Sequence, residues 1–313
     1  MTRKSILSTV MAMCFVFTAF AEPKDKPAYM LFDNEGKAVS FTTMVDDLSQ
    51  DDVVFIGEYH NSSLVHWFEH EVVEALADKH DNKLNLGMEM MEIDTQTKID
   101  EYMAGLISEE RYLAETYLWA NYKMDYAPIV KLAKERGMRL VSTNVPRRYA
   151  RALAYGGVEA LRQFPESSKQ YFGDVLDRVE QVNIPDNFFK DSPMSKVKAK
   201  AKTPMMGSMA TPKKSPEEMK KQMVRMTQAQ ALKDAVMARS IANNLELPFV
   251  QICGAYHSDS RKGTVTFLME RKPDLKVGII TTVYQSELSK LDEKNKGKAD
   301  YYIVLPEDTH KTY

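Results

Sequence analysis

Two apolar runs, each stopped by a glycine with Tyr-His just beyond it, constrain this chain more than any other feature. Val53-Val54-Phe55-Ile56 leads into Gly57-Glu58-Tyr59-His60, and Phe249-Val250-Gln251-Ile252-Cys253 leads into Gly254-Ala255-Tyr256-His257. Short, mostly apolar runs stopped by glycine are the pattern of buried strands. At the carboxyl edge of an α/β sheet, side chains from distant parts of the sequence meet and ligands bind. The two histidines are therefore expected to converge on one centre.

The rest of the chain supports an α/β class with a mainly parallel central sheet flanked by helices. Further strand patterns lie at 84–88, 139–143, 277–283 and 301–305. Helical periods fall at about 62–79, 95–104, 108–117, 126–136, 215–245 and 263–271, with another starting at Pro146. In the first of these, Leu64, Phe68, Val72, Val73, Leu76 and Ala77 recur at helical spacing behind Asn61 or Ser62 as a cap. Gly137 closes one helix and Pro146 opens the next. A β-hairpin is expected before the first core strand, with Tyr29–Phe32 and Lys37–Phe41 flanking a turn at Asp33-Asn34-Glu35-Gly36. A short helix over 42–51 follows it.

Residues 1–21 read as a signal peptide. Arg3 and Lys4 precede an apolar stretch from Ile6 to Phe20, and Ala19-Phe20-Ala21 has the small-x-small cleavage pattern. Cys14 follows Met13 rather than a small residue, so no lipobox is present. Residues 22–313 form one domain. The whole chain has 42 Lys+Arg against 44 Asp+Glu, a balance that gives no reason to expect nucleic acid. No later segment is long and apolar enough for a membrane span. Cys253 lies inside an apolar run, which predicts a buried, inert thiol. Residues 190–214, rich in Lys, Met, Pro and Ser, read as a flexible insertion. The methionines around it suit copper as soft ligands; the plainer expectation is a linker, with Met223 and Met226 packing into the core.

Several residues gather near the two strand ends. Glu58 follows Gly57 directly, and Glu89 follows Gly87-Met88 at the end of the next strand. Half-buried carboxylates are uncommon unless paired, hydrogen-bonded or metal-bound, so both are candidates for acid/base or ligand work. The plainer alternative has Glu58 capping the next helix and Glu89 paired with Arg147. Asn144 and Arg147 close the third strand, where Arg147 can clamp an anion or pair with Glu89 or Glu58. His66 and His70 share a helical face, but Trp67 stands where a zincin-type site needs Glu. His70 is expected at the surface; His66 can point back over the rim. Tyr112, Tyr117, Trp119, Tyr122 and Tyr126 either line a pocket or pack short helices.

In order and spacing these pieces resemble the ChaN-like haem-binding family, within the wider Tiki, TraB and erythromycin-esterase grouping. The resemblance runs from about Val53 to Ile280. It rests on GEYH at 57–60 with His66, Gly87-Met88-Glu89-Met90 with Gln96, Trp119 to Tyr126 with Pro128, and Ser142 to Arg147. It continues through Gln230 to Ala238 and ends with GAYH at 254–257. The resemblance implies an exported bacterial protein of the periplasm or cell envelope that binds haem. It would serve haem and iron uptake with envelope uptake components, hold haem at a homodimer interface and use a tyrosine-like iron ligand. Tyr59 and Tyr256 are candidates for that ligand, with His66 near by. The wider grouping implies a metal-dependent hydrolytic site instead. There His60, His257 and Glu89 would hold a divalent metal ion, with Glu58, Arg147 and Asn144 as catalytic neighbours. Haem binding is the first expectation. A hydrolase acting on a peptide, ester or amide is the alternative, and an exported binding module with a vestigial site is a third.

Overall fold

The computed structural model describes residues 27–184 and 215–312. The signal peptide expected at 1–21 and the insertion expected at 190–214 lie outside the described residues. Seven strands form one sheet: β1 (Met30–Asp33), β2 (Val53–Glu58), β3 (Asn85–Glu92), β4 (Arg139–Asn144), β5 (Phe249–Gly254), β6 (Val277–Gln285) and β7 (Tyr301–Pro306). Their order is β1-β7-β6-β2-β5-β3-β4, and every neighbouring pair is parallel except β1 with β7. The expected α/β architecture is present.

Helices cover both faces. In chain order they are α1 (Phe41–Leu48), α2 (Ser63–Lys79), α3 (Gln96–Met103), α4 (Glu109–Glu115), α5 (Ala127–Glu135) and α6 (Arg147–Gly156). Then follow α7 (Val158–Arg162), α8 (Glu166–Lys169), α9 (Leu176–Glu180), α10 (Pro216–Ala242) and α11 (Thr264–Arg271). Strand alternation divides the interior. Val54 and Ile56 of β2 join Phe68, Val72, Tyr126 and Ile129 in a front core under α1–α5. Val53 and Phe55 join Leu153, Leu232, Val236 and Leu268 in a back core under α6–α11. Apolar contact on both faces is why these strands read as continuous hydrophobic runs. Among the described residues no helix is long and apolar enough to cross a membrane.

Three local expectations need correction. The amino-terminal hairpin is reduced to an isolated bridge between Phe32 and Ala38; β1 instead pairs with β7, Met30 lying opposite Val304. The Asp33–Gly36 turn does form, but the returning chain is diverted at once into α1, whose first turn is capped by the Ser40 hydroxyl accepting from Thr43 N–H at 3.0 Å. β3 does not stop at Met88. Its pairing with β5 ends at Met88–Ile252 and its pairing with β4 shifts between Met88 and Glu92, so the strand continues through an irregularity. Met226 is 54 % exposed rather than packed in the core, because burial along α10 begins only at Gln228.

The free edge of β4 is partly closed by a side chain. The Gln96 amide donates to Leu140 O at 2.9 Å, and its oxygen accepts from Ser142 N–H at 2.7 Å and Ser142 Oγ at 2.6 Å.

Candidate functional site

Four adjacent strands, β2-β5-β3-β4, deliver the candidate residues to one rim. Glu58 ends β2 directly opposite Gly254, the last residue of β5, so the two Gly-x-x-His motifs are side by side. Glu89 stands just past the last regular β3–β5 pair, and Asn144 ends β4. The Asn144 side-chain amide donates to Glu89 O at 2.9 Å, steadying the irregular part of β3.

The sheet separates the ionisable groups into two clusters. On the front face, Glu58 meets His66 and Glu69 of α2. His66 Nδ1 lies 3.1 Å from Glu58 Oε2 and 3.0 Å from Glu69 Oε2, and Tyr126 donates its hydroxyl to Glu58 Oε1 at 2.8 Å. His60 Nδ1 is bonded to Glu58 as well. Behind the His66 ring, Nε2 faces His60 O at 3.3 Å and Asp125 Oδ2 at 3.7 Å. Asn121 donates to both His60 O and Asp125. Glu58, His66, Glu69 and Asp125 are all buried. Burial pushes the Glu58 carboxyl up, but His60 and His66 beside it hold it well below the usual carboxylate range. Burial and the Glu58 charge push Glu69 far the other way. Burial alone would lower His66; its contacts with Glu58 and Glu69 lift it to about 11 instead.

On the back face, Glu89 meets His257. His257 Nε2 lies 3.3 Å from Glu89 Oε1, while Nδ1 donates to Asp234 Oδ1 of α10 at 2.6 Å. Thr264 donates to the same Asp234 oxygen at 2.9 Å, and Gly254 N–H donates to Glu89 Oε2 at 2.9 Å. Burial raises Glu89, yet the His257 charge brings it down to about 2. Burial lowers His257, yet Glu89 and Asp234 bring it up to about 10. Glu89, His257 and Asp234 thus form a row with the imidazole between two carboxyl groups.

His60 joins the clusters. With one nitrogen on Glu58, its ring lies over Gly254, where an added Cβ would stand 2.9 Å from His60 Nε2 and 3.5 Å from Glu89 Oε2. Glycine at 254 is therefore what lets His60 approach Glu89. The structure brings His60, His257, Glu58, Glu89 and Asn144 together. Glu58 is no helix cap, since Ser62 holds that position on α2. Arg147 does not pair with Glu58 or Glu89; its guanidinium donates to the Tyr117 hydroxyl at 2.8 Å and lies 5.7 Å from the Trp119 ring centre. His66 is buried with both nitrogens facing protein groups, out of reach of a ligand on the surface. His70 sits near the surface beside Glu71. Cys253 is buried, and burial pushes its thiol well up.

Around the rim lies an aromatic and basic surround. Tyr256 is 67 % exposed and packs edge-on against His257; Tyr59 is 42 % exposed and packs against Tyr284. Trp119 packs edge-on against His60 at 4.7 Å, whereas Tyr112, Tyr122 and Tyr126 are buried. A groove of 690 Å³ runs between α6 and α10, with Arg147, Arg151, Arg225 and Lys233 along it and Ala150, Ala154 and Ala229 among its lining. Gln230 borders both this groove and the hollow holding Tyr256. Sequence reasoning did not single out Glu69 or Asp234. Each is a lone acid on the apolar side of a helix, Glu69 beside Phe68 and Asp234 between Leu232 and Ala235, and that misplacement was the available signal.

The family model described as "Haem-binding uptake, Tiki superfamily, ChaN" matches residues 44–268. The chain belongs to the ChaN family. Among solved structures, it is similar to ChaN of Campylobacter jejuni with cofacially bound haem, at 16 % identity and a TM-score of 0.60. That match covers 88 % of this chain and 96 % of the other. A Bacillus cereus protein is 10 % identical over 86 % of this chain and 92 % of its own, with a TM-score of 0.48. A mutant of the erythromycin esterase EreC in its open conformation is 12 % identical over 88 % and 82 %, with a TM-score of 0.45. No curated protein matches the chain. The ChaN fold is thus common to this chain and the C. jejuni protein. The donor set suits haem: exposed phenols at the rim, an indole beside them and cations within the adjoining groove.

Proposed function

We propose that this ChaN-family protein binds haem at the carboxyl rim of its sheet and serves haem or iron uptake as an exported protein. The observation that carries the proposal is Tyr256. Its phenol is largely exposed, is braced by the His257 ring, and lines a hollow that shares Gln230 with the groove lined by Arg147, Arg151 and Lys233. Haem, when bound, would supply a ferric centre that accepts an oxygen ligand. Tyr256, or Tyr59 across the rim, offers that oxygen. Burial and Asp234 raise the Tyr256 pKa, so the side chain keeps its proton near neutrality and releases it on ligation. Arg147, Arg151 and Lys233, which line one groove, would hold propionates, and Trp119 and Tyr117 would offer flat apolar faces. A homodimer with haem between protomers, export through residues 1–21 and handover to envelope uptake components complete the proposal.

Haem titration of the purified protein tests it. Stoichiometric haem should shift the Soret band, and Tyr256→Phe or Tyr59→Phe should weaken that shift according to which phenol ligates. A wild-type protein whose haem spectrum stays that of free haem would end this reading.

A second reading rests on Glu89 set between His257 and His60, with Asp234 holding the His257 ring in place. It is a metal-dependent hydrolase of a peptide, ester or amide. His60, His257 and Glu89 would hold the ion, Glu58 would activate water and Arg147 would stabilise developing negative charge. Metal analysis decides: His60→Ala and His257→Ala should both lose the ion, and a wild type that carries none and takes up none rules the reading out.

A further inference from the structure

The front cluster contains more buried carboxyl groups than haem or the rim chemistry uses. Glu58, Glu69 and Asp125 all crowd around His66, and Glu58 and Glu69 have side chains with no solvent exposure. Glu69 Oε1 is buried with no hydrogen-bond partner, and Glu58 Oε2 has only the His66 nitrogen at 3.1 Å. Orphaned carboxylate lone pairs in a fully buried place are costly unless a cation meets them. The ligand atoms of Glu58, His66 and Glu69 all lie within 4.8 Å of one another. A divalent ion at about 2.0–2.2 Å from nitrogen and oxygen ligands holds neighbouring ligands about 3.0–3.5 Å apart. His66 Nδ1 already stands 3.1 and 3.0 Å from the two carboxylates.

We propose that Glu58, His66 and Glu69 form a binding site for one divalent transition cation, one layer beneath the rim and distinct from the His60, Glu89 and His257 arrangement. Helix α2 presents His66 and Glu69 three residues apart on its inward face, the spacing by which helices supply paired nitrogen and oxygen ligands. The groups behind them are those a metal site needs. With the ion on Nδ1, the His66 Nε2–H is left to donate to His60 O at 3.3 Å, with Asp125 at 3.7 Å, which fixes the ring. The Tyr126 hydroxyl on Glu58 Oε1 orients that carboxylate, leaving Oε2 for the ion. One imidazole and two carboxylates suit zinc or manganese. Without an ion, Glu69 would have to keep a proton and hydrogen-bond within the cluster.

The full chain, purified without a metal-affinity step and treated with chelator, is titrated with ZnCl₂ and separately with MnCl₂. Elemental analysis and the melting temperature are read together. About one tightly held equivalent that raises the melting temperature is expected. Glu69→Gln, nearly isosteric, should weaken binding at least about tenfold. His70→Ala, which dismantles the surface group His70, Glu71 and Glu74, should keep the ion. Chelator-treated wild type that binds neither metal overturns the proposal, whatever the folding of the variants. So does an ion lost in His70→Ala or His257→Ala but kept in Glu69→Gln.

Discussion

Replacing Asp234 by Asn tests the back cluster most sharply. The Asp234 carboxylate accepts from His257 Nδ1 at 2.6 Å and from Thr264 Oγ1 at 2.9 Å, all three side chains being buried. Asn keeps the size and one acceptor oxygen but removes the charge that, with Glu89, keeps His257 protonated. Taking one partner from a buried ion pair costs about 3–5 kcal/mol; the retained acceptor puts this change at the low end, about 3 kcal/mol. For a chain of this size that lowers the melting temperature by about 5 °C. The pH dependence follows from the direction of each shift. His257 is raised from 6.5 to about 10, so its contribution is complete below about pH 6.5 and is lost as pH rises toward 10. Glu89 is lowered from 4.5 to about 2, so its contribution is complete above about pH 4.5 and is lost as pH falls toward 2. The Asn variant should therefore lose most stability at pH 5–6 and come closer to wild type at pH 9. Calorimetry across that range, with the His257 ring followed by NMR, provides the measurement. A deficit equal at pH 6 and pH 9, or a His257 ring in the variant that still titrates near 10, would refute the charge-row account.

The two motif-adjacent glycines should respond differently to alanine. At Gly87 a Cβ would meet Gln251 Oε1 at 2.3 Å and the Phe249 ring at 2.4 Å, inside the sheet, so Gly87→Ala should cost more than about 3 kcal/mol in chemical denaturation. At Gly254 the obstacle is the half-exposed His60 ring at 2.9 Å and the backbone φ is −56°, so Gly254→Ala should cost about 1–2 kcal/mol while displacing His60 from Glu89. Equal losses would contradict that difference. Cys253, buried with its thiol pKa raised, should react with a thiol reagent only after denaturation; labelling of the native protein at the rate of a free thiol would count against the burial described.

How much was legible follows from how each element is stabilised. The strands β2, β5, β6 and β7 are visible because burial on both faces demands mostly apolar residues, and Gly57 and Gly254 mark where two of those runs meet the rim. The hairpin was misread because residues 37–41 alternate suitably for a strand, whereas the Ser40 cap commits the chain to a helix. The true extent of β3 was hidden by Glu89 and Glu92, which break the apolar run while the backbone continues through an irregularity. At the site, His60, His257, Glu58 and Glu89 were readable from position relative to strand ends. Glu69 and Asp234 lie on helices, where their place on the apolar face is a sequence signal, but which partners they meet is known only from the packing. Arg147 was placed at the right strand end, but its partners, Tyr117 and Trp119, come from a loop whose path no local pattern reveals.

The side-chain amide of Gln96 has a consequence for assembly. By satisfying Leu140 O and Ser142 N–H it stands in for a single peptide group of a neighbouring strand that the described residues do not supply, so the β4 backbone offers no continuous row for another polypeptide to lie along. A hydrocarbon side chain at position 96 would reopen that row and give the protein an adhesive flank, with self-association driven by main-chain pairing and independent of any bound cofactor.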